Sequence, residues 1–274
     1  MNELIKADLK RVLKDKLMRV LIILAVVFAV ITPISSAIIL SVVDVSSDPM
    51  IAALLSAKGL FFQSFSMTNN LGFIAPILLA IVLCKDFSYG TVRNKIIAGK
   101  KRSSIFLSMF IVCALVLTSV IMLSALLSLG TSLIFFDYQD TPFTLADFGY
   151  FMASLGLELL VLLFMSALLS LLCACSKNVG IAIVLYVAVT FVLMIFGTVT
   201  QLGSMLLEGV EGGKLIADIM KVLDRINMAM ATSYIGSGSS YTLSDVLYLT
   251  LSPIISVSAF ITLGIFAFNK KELK

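Results

Sequence analysis

The chain has 274 residues, 60% of them hydrophobic and 13% charged, with 20 Lys and Arg against 16 Asp and Glu and no His. A soluble globular domain carries about 25% charged residues, so this balance, with a mean hydropathy of +1.10, excludes that class. Several apolar runs reach the roughly 20 residues that cross a hydrocarbon core of about 30 Å, and the ~10-residue alternating segments of a membrane β-barrel are absent; the chain reads as an all-α polytopic membrane protein.

From the N-terminus, residues 1–19 are expected to form a cytoplasmic amphipathic helix. Ile5, Leu9, Val12, Leu13 and Leu17 recur at helical spacing, while Lys6, Lys10, Arg11 and Lys14 fall elsewhere on the wheel. Such a helix lies along the inner membrane face with its cations near anionic lipid. It serves as a topology anchor, and a second role in touching a partner stays open. The first span is expected over 20–43. Its basic start and the following "TPISSA" resemble a signal peptide, but the apolar run resumes, so cleavage is not expected.

The second span is read over 63–84. Its apolar part, 71–84, is too short alone and borrows the polar stretch from Gln63 to Asn70. Gln63, Ser66, Asn69 and Asn70 cannot all face lipid cheaply, so this half-span is expected against another helix or along a translocation path. A coupling loop, 85–104, follows. Later spans are expected over 105–136, 150–173, 179–200 and 246–268, with a long amphipathic segment, 201–245, placed outside. In that segment Leu215, Ile216, Ile219, Leu223 and Ile226 form one helix face, and Thr242-x-x-Asp245 resembles a capping box that opens the last span.

Sixteen of the 20 Lys and Arg residues fall on one side of this six-span scheme, the other four being Lys58, Lys214, Lys221 and Arg225. The positive-inside rule then makes both termini cytoplasmic. Asp44, Asp48, Asp137, Asp140 and Asp147 lean the other way.

Several chemistries lack their residues. No GxxxxGK[ST] occurs; Gly212-Gly213-Lys214 is the nearest string and has neither the spacing nor the hydroxyl. Without His, the commonest general base and metal ligand is missing, and no cofactor or metal is expected in this chain. Cys173-Ala174-Cys175 alone is a poor soft-metal site, and none of the four cysteines points to a disulfide framework. Glu158 is the one clear ionisable group inside a span, and it fits either a translocation path or a headgroup-level hydrogen bond.

The most polar sustained stretch is 85–102. Thr91 is expected to cap a short helix over 92–98 and Gly99 to end it. Val92 and Ile96 share one face, and Phe87, Tyr89 and Arg93 suit a groove on another protein. The run Lys85-Asp86-Phe87-Ser88-Tyr89-Gly90-Thr91-Val92-Arg93-Asn94-Lys95, then Gly99 and Arg102-Ser103 leading into a span, resembles the signature of ABC-2 type transporter permeases, with Asp86 where Glu is commoner.

The resemblance, with the topology, covers nearly the whole chain. It implies a type V exporter-like architecture in the plasma membrane. The chain would pair with a second permease, as homodimer or heterodimer, and with two ATPase subunits that bind ATP and Mg. Asp86, Phe87, Tyr89, Gly90, Thr91, Arg93 and Lys95 would then couple to the ATPase. The expected cargo is an amphipathic peptide or another lipophilic molecule, with no nucleic acid involved. Two other readings remain: a secondary transporter using Glu158, and a non-transporting sensor or scaffold.

Overall fold

The structure, a computed structural model, describes residues 1–42, 55–138, 144–176, 178–208, 210, 213–237 and 241–271. Its helices in chain order are α1 (Asn2–Lys14), α2 (Lys16–Val42), α3 (Ala57–Gln63), α4 (Asn70–Ser88), α5 (Thr91–Ile97), α6 (Arg102–Ser132), α7 (Leu145–Cys175), α8 (Val179–Glu208), α9 (Lys214–Ile226), α10 (Met228–Ser237) and α11 (Leu243–Lys270). Among the described residues there is no strand. Six helices, α2, α4, α6, α7, α8 and α11, are long and apolar enough to cross a membrane, and α7 is the most enclosed of them.

Six crossings bring both chain ends to one end of the bundle, and contacts there agree. Lys95 of α5 meets Asp8 of α1 at 2.6 Å, and Arg102 at the start of α6 donates to the Lys271 carbonyl at 2.8 Å. This is the basic end. Asp15 separates α1 from α2 in an extended conformation, and its carboxylate accepts the Leu17 amide at 3.0 Å, capping α2. Capping boxes at Thr144/Asp147 and Thr242/Asp245 start α7 and α11, the second as the sequence pattern suggested.

The second span differs from expectation. The polar stretch does not extend a helix but forms a turn between α3 and α4. Asn69 makes the break: its amide nitrogen donates to the Gln63 carbonyl at 3.0 Å, and its side-chain oxygen accepts the Asn70 amide at 2.8 Å. Short polar side chains compete in this way for backbone groups that a helix would use. Gly72 lets the turn close, since a Cβ there would lie 1.8 Å from the Ser66 carbonyl oxygen. The span proper is α4, which runs past the expected end at residue 84 to Ser88.

Residues 201–245 also differ. The first eight continue α8, and α9 then runs antiparallel along it. Met220 stands against Gly203, Asp224 against Thr200, and the Asn227 amide donates to the Leu193 carbonyl at 2.7 Å. The short helix α10 returns, its Met228, Ala231 and Ile235 buried against α3 and α7. The amphipathic helix expected here is α9, but its apolar side (Leu215, Ile216, Ile219, Leu223, Ile226) faces outward while Asp224 is buried. Lys214 and Asp218 are exposed beside that apolar side, a mixed surface of the kind found where a helix lies at a membrane–water interface.

Candidate functional site

At the basic end, seven residues singled out in the sequence separate into two groups. Asp86 is 5% exposed and pairs with Arg11 of α1; Lys95 lies 3.7 Å from the same carboxylate and 2.6 Å from Asp8. Asp8, also buried, accepts the Ser108 hydroxyl of α6 at 2.7 Å. One turn further, Lys85 and Asp15 meet at 2.8 Å. Burial pushes Asp15 up, but the Lys85 ammonium and the Leu17 amide outweigh it and hold the carboxyl below its usual value. These pairs bind α1 to α4, α5 and α6.

Phe87 is half-buried and faces inward, away from a docking surface. Its ring meets Phe268 edge-on at 5.9 Å and lies under the Lys271 ammonium at 4.3 Å. Lys271 also donates to the Ala174 and Ser176 carbonyls at 2.8 and 2.6 Å, and Arg102 donates to the Asn269 carbonyl at 2.9 Å. The last carbonyls of α7 and α11 are thus satisfied by cations.

The N-cap of α5 is Gly90, not Thr91. Gly90 adopts φ +68°, a left-handed conformation that glycine takes without a Cβ penalty, and this turns the chain from α4 into α5. Gly99, at φ +79°, ends α5 as expected: its own amide donates to the Ile96 carbonyl and that of Lys100 to the Lys95 carbonyl, a Schellman pattern. Val92 is buried and Thr91 half-buried. What α5 offers outward is Tyr89 (77% exposed), Arg93, Asn94 and Ile97 (73% exposed).

The second candidate site is divided. Asn69 and Asn70, with Thr32, Ser64, Ser124 and Ser128, line a cavity of about 10 Å³ between α2, the α3–α4 turn and α6. That is room for a single water, far below the width of a path for cargo. Ser128 is buried there with no partner for its hydroxyl among the described residues. Gln63 and Ser66 are not part of this lining; Gln63 is exposed, and Ser66 shares a 2.9 Å hydrogen bond with Thr68.

Glu158 is elsewhere. It lies thirteen residues into α7, ~20 Å along the helix, and is 0% exposed. Its neighbours lie near the start of α11, at the end of the bundle away from the termini. Neither carboxyl oxygen has a hydrogen-bond partner among the described residues. The neighbouring polar groups among the described residues are the Thr232 hydroxyl of α10 and Tyr241, whose hydroxyl shares a 2.5 Å hydrogen bond with Ser154 and donates to the Ile235 carbonyl at 2.9 Å.

Sequence reasoning missed Asp8 and Lys271, and the partners of Arg11 and Arg102, which hold the basic end together. Only Asp8 left a signal: it falls between Leu4 and Val12 on the buried stripe of an otherwise basic helix. Of the outer acids expected from sequence, Asp44, Asp48 and Asp140 lie outside the described residues, as do Lys177, Gly212 and Lys274. No family model matches the chain, and no curated protein matches it.

Proposed function

We propose that this chain is the membrane-spanning permease subunit of an ATP-driven exporter, working with separate ATPase subunits and a second permease chain in the plasma membrane. The observation that carries the reading is α5: a short helix at the basic end with Tyr89, Arg93 and Ile97 turned outward and its root in buried ion pairs. A partner that grips the exposed side moves α1, α4 and α6 with it. Aromatic and Arg anchors beside an apolar side chain are what an intermittent protein contact uses. The resemblance to ABC-2 permeases supplies the nature of that partner, an ATPase holding ATP and Mg. Export, the peptide or lipophilic cargo, and the cytoplasmic placement of both termini rest on the same resemblance and on the one-sided cations.

The test is reconstitution. The chain, purified from membranes with the ATPase that accompanies it, is placed in lipid vesicles, and ATP hydrolysis is measured with and without amphipathic peptides. Hydrolysis that responds to peptide in the parent complex and not in Arg93→Glu supports the reading. A chain that retains no ATPase under gentle extraction sinks it.

One observation favours a second reading, ion-gradient-driven transport: the buried Glu158 carboxyl, which has the Thr232 hydroxyl beside it and no ion-pair partner among the described residues. Transport that follows a proton gradient, needs no ATP and disappears in Glu158→Gln would establish it over the first.

A further inference from the structure

Two apolar grooves of similar size open on the outside of the bundle, and their surroundings differ. One, of about 320 Å³, is lined by Leu129, Tyr138, Phe148 and Phe151 at the end away from the termini. The other, of about 340 Å³, lies beneath α1 at the basic end, lined by Leu9 and Leu13 of α1, Ile22 of α2, and Leu115, Ser119 and Leu123 of α6. Ser119 is its one polar side chain, and that hydroxyl is spent on the Leu115 carbonyl at 2.7 Å. The wall is therefore hydrocarbon throughout.

Above this wall the charges are regular. Leu9, Leu13 and Ile22 each have a cation three residues earlier, one helical turn away: Lys6, Lys10 and Arg19. All three are exposed and make no ion pair among the described residues. Of the acids nearby, Asp8 and Asp15 are taken by Lys95 and Lys85, which leaves Glu3 as the exposed acid of α1. An apolar slot about as large as small ligand pockets, 300 Å³ and upward, roofed by an amphipathic helix and rimmed by unpaired cations, is complementary to a molecule with an anionic head and a hydrocarbon tail.

We infer that the groove under α1 is a binding site for an anionic glycerophospholipid, the acyl chain lying between α2 and α6 and the phosphate against Lys6, Lys10 and Arg19. Neutral lipid meets the same wall without the charge pairing. The bound lipid joins α1 to the α2–α6 face, on the side of α1 away from its ion pairs with α4 and α5. This inference rests on membrane insertion of the helices and does not depend on ATP-driven transport.

The experiment is native mass spectrometry of the detergent-purified chain with equal amounts of phosphatidylglycerol and phosphatidylcholine. The parent chain is expected to retain phosphatidylglycerol preferentially. Each cation near a membrane surface contributes a factor of about five in affinity, so K6Q, K10Q and R19Q should each lower phosphatidylglycerol retention by about that factor and leave phosphatidylcholine unchanged. Filling the groove with Ser119→Trp should remove both lipids from this site, while Leu129→Trp in the other groove should spare the phosphatidylglycerol adduct. The three charge variants alter exposed side chains only, so they keep the test decisive if Ser119→Trp does not fold. Equal retention of the two lipids by the parent overturns the site. So does unchanged phosphatidylglycerol binding in the triple charge variant, including the case where that variant loses a protein partner instead.

Discussion

The two ends of this bundle are held by different balances of charge and fit. At the basic end, helices far apart in sequence are joined by buried or half-buried charges: Asp8 to Lys95, Asp86 to Arg11, Asp15 to Lys85, and Lys271 to the end of α7. At the other end, Arg225 pairs with Asp245 at 2.7 Å to tie α9 to α11, and the Tyr234 hydroxyl of α10 donates to Asp224, but apolar contact has a larger share in seating the short helices α3 and α10. Phe61 and Phe62 meet Phe151 at 5.3 and 5.6 Å, and small residues of α10 lie flat against their neighbours. Charge pairs act over several ångströms and tolerate small shifts in geometry, whereas apolar contacts in a bilayer gain little from the hydrophobic effect and depend on close fit.

That contrast breaks most readily where fit is tightest. Gly72→Ala places a methyl carbon on the Ser66 carbonyl and forces the α3–α4 turn open. Destabilisation of ~3 kcal/mol is expected, at the upper end for overpacking, and seen as a large fall in melting temperature and in monodisperse yield. Gly130→Ala is the control. Nothing lies within 4 Å of its added Cβ, and Ala is the better helix former by about 0.5–1 kcal/mol, so it should be neutral or stabilising. Equal losses in both variants would remove the argument from close approach.

At the basic end the corresponding change is Asp86→Asn, which leaves the Arg11 guanidinium half-buried without its counter-charge. A loss of about 2 kcal/mol is expected, below the 3–5 kcal/mol for a fully buried pair because Arg11 keeps some exposure. Adding Arg11→Met should restore part of it, and a cycle with no coupling would show that the pair does not join α1 to α4.

Asp15→Asn should cost less, about 0.5 kcal/mol for the lost charge pairing with Lys85, since an Asn side-chain oxygen can still cap α2. Its folded-state value is held below 3.8, so the contribution of the carboxylate is complete above about pH 4 and is lost as pH falls through the lowered folded value. Acid melts of the parent should therefore show a limb below pH 4 that flattens in Asp15→Asn. Unchanged acid limbs would mean that Lys85 and Leu17 do not hold this carboxylate.

What sequence reading could reach follows the same division. The membrane spans were legible because hydrocarbon thickness demands long apolar runs, and the end of α5 because Gly99 needs its left-handed conformation. The α3–α4 break was not, since it depends on Gly72 approaching Ser66 through a fold back of the chain. A polar stretch of Ser, Thr and Asn is compatible with a wet half-span or a turn. The outward apolar side of α9 was equally hidden: periodicity gives the two faces but not which one packs inward. Asp8 and Lys95 are 87 positions apart, and nothing local ties them.

The smallest structural effect should accompany the largest functional one. Arg93 is exposed and makes no ion pair among the described residues, so Arg93→Glu should leave stability within about 0.5 kcal/mol of the parent. If α5 is where an ATPase grips, the reversed charge meets the surface that accepted the guanidinium, and transport should be lost with melting unchanged. Phe87→Ala makes the opposite split. Its ring is committed to Phe268 and Lys271 inside the chain, so stability should fall by 1 kcal/mol or more for the lost aromatic packing, while the α5 surface stays as it was. Transport and ATPase retention measured in both variants, alongside melting, separate a docking face from a packing core. A Phe87→Ala chain that melts normally and is uncoupled would move the docking face from α5 to the end of α4.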